Sequence, residues 1–176
     1  MAVAVLALQH QRPSLAGPVA QPSAAVRLHA GWNLVAAPPG SALPPGTAAR
    51  YTQPARLASY AMVPVDTGDD FMSGWGYWLY EDADVDLSLA PGVPAFSVIV
   101  PARQWVLVGN PSGTGIAAIT GADVAYTYSS EHGYIAATSL QPGEAAWVYA
   151  SAAATVRLST GPLQTVTASY APNSSR

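Results

Sequence analysis

Apolar and polar residues alternate along this chain in short stretches of about four to seven, each bounded by Gly, Pro, Asp or Ser. Such stretches centre on Trp32, Tyr60, Trp78 and Val85 and are rich in β-branched and aromatic residues, a pattern that predicts strands. In Trp75-Gly76-Tyr77-Trp78-Leu79-Tyr80, a two-residue period puts Trp75, Tyr77 and Leu79 on one face and Gly76, Trp78 and Tyr80 on the other. The best helical candidate is residues 115–123, a short run interrupted by Gly121. Its counterpart at 41–49 carries Pro44 and Pro45, which bar a regular helix. A last strand is expected at 165–170. The fold class is therefore mainly β.

The strand pattern occurs twice. Trp32, Leu34 and Pro38 recur as Trp105, Leu107 and Pro111, each 73 residues later. Trp78 and Tyr80 recur as Trp147 and Tyr149, 69 residues later, so the second copy is shortened by four residues in its middle. Each copy closes on a similar strand, 85–89 and 156–160. A period near 70 marks a duplicated unit. It divides the chain into an apolar arm and linker at 1–25, a first β repeat at 26–96, and a second at 97–176 that includes the C-terminal strand and tail. A unit of this size buries its own core only marginally. We therefore expect two similar β subdomains, small sandwiches or barrel-like, packed about a pseudo-twofold axis with an extended N-terminal arm. Aromatics kept in both copies (Trp32 with Trp105, Trp78 with Trp147) are expected inside. Trp75 and Tyr77 have no aromatic counterparts, so they fill a seam between the copies or lie exposed as a platform.

Composition narrows the classes of function. Half the residues are apolar and only 10% are charged, well below the roughly 25% usual in soluble domains. Seven arginines, no lysine and a net charge of -3 leave no basic stripe for phosphate, which argues against a nucleic-acid partner. The absence of cysteine excludes disulfides, a thiolate nucleophile and cysteine-ligated metal. The apolar run at 1–8 lacks a positive leader and is too short to cross a bilayer, so no transmembrane span is expected. It reads either as residual signal sequence or as a retained arm. Asn173-Ser174-Ser175 has the glycosylation pattern.

The order Gly31-Trp32-Asn33-Leu34-Val35 with Pro38, then Gly76-Tyr77-Trp78 with Tyr80, then Asp84, Val85 and Leu87, resembles a tandem β repeat. That repeat occurs in secreted and cell-surface proteins of bacteria and archaea, often beside surface-layer modules. The second copy departs from it, with Gln104 in place of the first Gly and Ala145-Ala146 in place of Gly-Tyr. The resemblance implies an extracellular or cell-surface β module without a catalytic role, and it names no ligand.

Chemistry-bearing residues are sparse. Asp82, Asp84 and Asp86 have the spacing with which calcium loops begin, but no turn glycine or distal Glu follows, and strand alternation explains the spacing as a solvated face. Calcium is thus the one cofactor with any sequence support, with Asp69 and Asp70 as further oxygen donors. His10, His29 and His132 are scattered, and His132 falls in a hairpin tip at 129–133. The glycine-rich 109–115 lacks a lysine and reads as a turn.

Two functions remain. One is a non-catalytic structural protein that self-assembles into a filament, sheet or surface layer, with the arm donated to a neighbour's sheet edge. The other is a carbohydrate-binding or adhesion module for a cell-surface glycan. It would stack sugars on Trp75, Tyr77, Tyr60 and Phe71 beside the carboxylates of Asp69 and Asp70.

Overall fold

The computed structural model describes residues 24–53, 62–66 and 68–161, and all the sheets it forms are antiparallel. Among the described residues there is no helix, and hence none long and apolar enough to cross a membrane. The arm at 1–23, Tyr60 and the strand expected at 165–170 lie outside the described residues.

The first copy contributes β1 (Ala24–Leu28), β2 (Gly31–Val35), β3 (Ala49–Thr52), β4 (Val63–Pro64), β5 (Tyr77–Glu81) and β6 (Val85–Leu89). The second contributes β7 (Ala95–Val100), β8 (Gln104–Gly109), β9 (Ala117–Thr120), β10 (Val124–Ser129), β11 (Gly133–Ala136), β12 (Ser139–Leu140), β13 (Ala145–Ala150) and β14 (Ala154–Ser159). Each copy has one four-stranded sheet of the same order, β2-β5-β3-β4 and β8-β13-β10-β11. Its second layer is the β1-β6 pair in copy one and the sheet β7-β14-β9-β12 in copy two.

The recurring sequence pattern coincides with a recurring pairing register. Trp32 lies opposite Tyr80 and Leu34 opposite Trp78; Trp105 lies opposite Tyr149 and Leu107 opposite Trp147. On the other side of the central strands, Tyr51 faces Trp78 as Tyr126 faces Trp147. Even the extra strand β9 has a trace in copy one, where Ala42 makes a single bridge to Ser88 as Ala118 pairs with Ser159.

Residues 115–123 form no helix. Their centre is β9, held between β14 and β12, and Gly121 (φ 85°) ends it. With Ile119 and Thr120 β-branched and two strand partners available, tertiary pairing decides a segment too short to be a stable helix.

A second correction concerns the aromatics. The two faces of β5 divide as the alternation predicts, but the shared rings are not interior. Trp32 is 42% and Trp105 40% exposed, and Trp78, Tyr80, Trp147 and Tyr149 are half-buried. The inward positions belong to Tyr77 and Leu79 in copy one and to Ala146 and Val148 in copy two. Copy one fills its interior with Phe71 and Tyr77 beside Leu28, Leu79, Leu87 and Leu89. Copy two does so with aliphatics, including Ala117 of β9 and Leu140 of β12 in the same cluster as Ala146.

The copies meet along a third cluster of Leu34, Ala36, Leu107 and Ala145, with Trp78, Tyr128 and Trp147 packed on it. Backbones approach closely here. The Ala36 N–H donates to the Gly143 carbonyl at 2.9 Å, and the Gly109 N–H to that of Gly74 at 2.9 Å. A Cβ at Gly76 would stand 2.7 Å from Leu107, and one at Gly109 would collide with the Trp75 carbonyl and the Ala36 methyl. Trp75 makes a backbone bridge to Val108, which puts it at the seam.

Glu81 ends β5 on its inward side, almost wholly buried, with the Thr47 hydroxyl donating to it at 2.7 Å. Burial raises its carboxyl above the usual range, outweighing the Thr47 hydrogen bond. The fold therefore prefers the protonated form. Its stabilising contribution is complete below the unfolded carboxyl's value, about 4.5, and is lost as pH rises through the raised folded value. Glu81→Gln keeps the Thr47 contact without the charge. We expect its melting temperature to exceed that of the parent at pH 7 and the gap to close below pH 4, read by calorimetry across that range.

Candidate functional site

The outward faces of the two four-stranded sheets are carpeted with rings. In copy one, Trp32 on β2 stands 5.2 Å from Tyr80, 5.9 Å from Tyr51 and 6.4 Å from Trp78 between ring centres, tilted by 70°, 54° and 86°. Tilted rings give a ridged aromatic surface. They border an open cleft of about 360 Å³ lined by Trp32, Tyr51, Met62 and Trp78, and by Tyr128 of the second copy, whose ring lies 4.9 Å from that of Trp78.

Copy two has an equivalent cleft of about 470 Å³ lined by Trp105, Tyr126, Tyr134 and Trp147. Trp105 is flanked by Tyr149 at 5.1 Å and Tyr126 at 5.9 Å. Strand geometry explains the recurrence. The alternating β10, with Tyr126 and Tyr128 on one face and Ala125 and Thr127 on the other, presents both tyrosines outward beside Trp147.

Among the described residues, no charged side chain lines either cleft. The indole N–H groups of Trp32, Trp78, Trp105 and Trp147 and the hydroxyls of Tyr51, Tyr126, Tyr128 and Tyr134 make no hydrogen bond to any described residue. Each cleft therefore offers apolar rings and an unoccupied set of neutral polar groups.

Polar hollows adjoin the clefts. One of about 190 Å³ between the copies shares Trp32 and Tyr128 with the first cleft and adds Arg27, His29, Ser130 and Glu131. Another of about 310 Å³ shares Tyr126 with the second cleft and adds Asp123 and Thr138. Ser151, through its hydroxyl and its backbone N–H, holds the Asp123 carboxyl below its usual range.

The residues expected to form a sugar platform are arranged otherwise. Asp69, Asp70, Trp75 and Tyr77 do border one hollow of about 350 Å³. However, Tyr77 is 1% and Phe71 2% exposed, packed edge-to-face at 5.1 Å, so neither ring is available for stacking. Burial lifts the Tyr77 phenol above its usual range, and the Met72 N–H donates to its oxygen at 2.8 Å. Arg50 explains the arrangement. Its buried guanidinium lies over both rings, 4.3 Å from Phe71 and 4.7 Å from Tyr77, and donates to the backbone carbonyls of Asp69 (2.6 Å) and Asp70 (3.2 Å). The acidic loop is thus anchored through its backbone around an internal cation. Tyr60 lies outside the described residues.

The calcium arrangement is not formed either. Asp84 accepts from the Ala30 N–H at 3.0 Å and faces His29 at 3.4 Å and Arg27 at 3.7 Å. The Ala30 contact leads in holding its carboxyl below the usual range. Asp86 takes the other side of Arg27 at 3.1 Å. A guanidinium therefore stands where the cation would, while Asp82 is exposed apart from them. No cluster of three or more His, Asp or Glu able to hold a metal occurs among the described residues.

Sequence reasoning did not single out Trp32, Trp105, Tyr126, Tyr134 or Trp147 as candidates. For Trp32, Trp105 and Trp147 a signal was present in the repeat itself, because aromatics retained by both copies can be kept for a shared outward face as well as for a core; Tyr134 has no aromatic counterpart on β4 and carried no such signal.

Comparison of the chain with protein-family models, with curated proteins and with solved structures finds no match in any of the three.

Proposed function

We propose that this protein is a non-catalytic carbohydrate-binding module with two equivalent aromatic clefts, acting outside the cell on a neutral glycan. One observation carries the reading: the rings kept by both copies stand outward in the same cross-strand register, lining open clefts with unpaired indole N–H and phenol groups and no charged side chain among the described residues. An open aromatic surface with polar groups among its rings suits a ligand that is flat, apolar on its faces and polar round its edge. A pyranose with equatorial hydroxyls has that form. Its C–H faces meet the rings, and its hydroxyls meet the indole and tyrosine groups at the rim.

The ionisable groups support binding over catalysis, since Glu81, Asp84, Asp123 and Arg50 are each engaged in holding the fold. The resemblance to tandem surface repeats supports an extracytoplasmic setting. The arm through which self-assembly, the other expectation, could proceed by strand donation lies outside the described residues.

The test is titration with cello- and chito-oligosaccharides, followed by tryptophan fluorescence and calorimetry. Trp32→Ala combined with Trp105→Ala should weaken binding at least about 30-fold, the effect of losing an aromatic anchor. Binding of decaproline in place of the sugars would overturn the reading. So would sugar-indifferent oligomers in the ultracentrifuge that the double variant dissolves, because the rings would then serve self-association.

A further inference from the structure

Resting on that reading, we infer that the two clefts form one continuous track that holds a single extended glycan chain across both copies. Tyr128 belongs to copy two yet lines the copy-one cleft, and its ring lies 5.5 Å from that of Tyr134, which lines the other. The clefts therefore share a divider made of two contacting rings. The copy-one cleft is incomplete without the second copy.

The path also continues beyond each cleft. Beside the divider, Trp32 and Tyr128 pass into the hollow between the copies that bears Arg27, His29 and Glu131; on the far side of the second cleft, Tyr126 passes into the hollow bearing Asp123. Among the described residues these charged side chains lie in the adjoining hollows and none lies in the clefts themselves, which favours a neutral chain along the rings. Four hollows joined by shared or contacting residues suit a polymer, whereas a monosaccharide site needs only one. The seam fixes the geometry, because Gln53 of copy one bonds the backbone of β8 at Trp105 and Leu107 and so holds the two aromatic sheets in place.

A chain that engages both clefts gains from effective concentration. Cellohexaose should therefore bind with a stoichiometry of one per protein and on the order of 10²-fold more tightly than cellotriose, which should bind two per protein. Chitohexaose and chitotriose are run alongside. Trp105→Ala should lower hexaose affinity to the triose level while one hexaose is still bound.

Independent clefts would give two hexaoses per wild-type protein at triose affinity, with Trp105→Ala removing one and leaving the affinity of the other unchanged. That result would overturn the track and leave the two-cleft reading standing. Absence of binding by every oligosaccharide would overturn both. The wild-type stoichiometry decides the matter even should Trp105→Ala fail to fold.

Discussion

Replacing Arg50 with alanine should cost about 3–5 kcal/mol of stability, the largest loss expected from any single change in the first copy. Arg50 is 2% exposed and fills the space between the Phe71 and Tyr77 rings and the loop at 66–70. Its removal leaves a cavity under two aromatic faces and frees the carbonyls of Asp69 and Asp70 from a charged donor. Domains of this size are stable by roughly 5–15 kcal/mol, so the loss is a large share of the total. Arg50→Met restores part of the volume and none of the hydrogen bonds, and should recover about half. Urea unfolding measures both, and faster amide exchange at 66–72 would locate the effect. A change under about 1 kcal/mol for Arg50→Ala would mean that the guanidinium is a passenger and the rings pack without it.

Gln53→Ala should cost about 2–4 kcal/mol, because one amide satisfies two backbone groups of a neighbouring strand. β8 is an edge strand of its sheet. The Leu107 N–H donates to the Gln53 side-chain oxygen at 2.8 Å, and the Gln53 side-chain nitrogen donates to the Trp105 carbonyl at 3.2 Å. The side chain thus imitates a paired strand along the Trp105–Leu107 part of that edge, next to the stretch that Gly74 and Trp75 already cover at Val108 and Gly109. Gln53→Glu should be worse than alanine at neutral pH, since an acceptor would face the Trp105 carbonyl and a charge would be buried. Thermal unfolding of both variants at pH 7 checks the order. Equal midpoints for Gln53→Glu and the parent would remove the amide from any role in the seam.

Much of the fold was legible beforehand. The 73- and 69-residue offsets anticipated that Trp32 and Trp105 hold the same place opposite Tyr80 and Tyr149. The strand at 85–89 coincides with β6, and the hairpin tip at 129–133 joins β10 to β11, where the His132 N–H donates to the Ser129 hydroxyl at 3.0 Å. Residues 115–123 were misread because short apolar runs carry no decisive period, and only the presence of β14 and β12 makes them a strand. The calcium spacing misled for a related reason. Three aspartates two apart say nothing of the cation brought to them from another strand, and here Arg27 of β1 supplies it.

The site divides in the same way. By itself the sequence determined that the chain is mainly β with a strand pattern that recurs, which side chains share a face, and that charge is too scarce for a phosphate-binding surface. Only the tertiary structure decided which face looks inward. Alternation with a period of two is unchanged when a strand is turned over, so Trp78 and Tyr80 can be told from Tyr77 and Leu79 but not placed in core or solvent. The second layer breaks that tie: β6 and its neighbours cover Tyr77 and Leu79, and the rings the two copies share are left to line the surface.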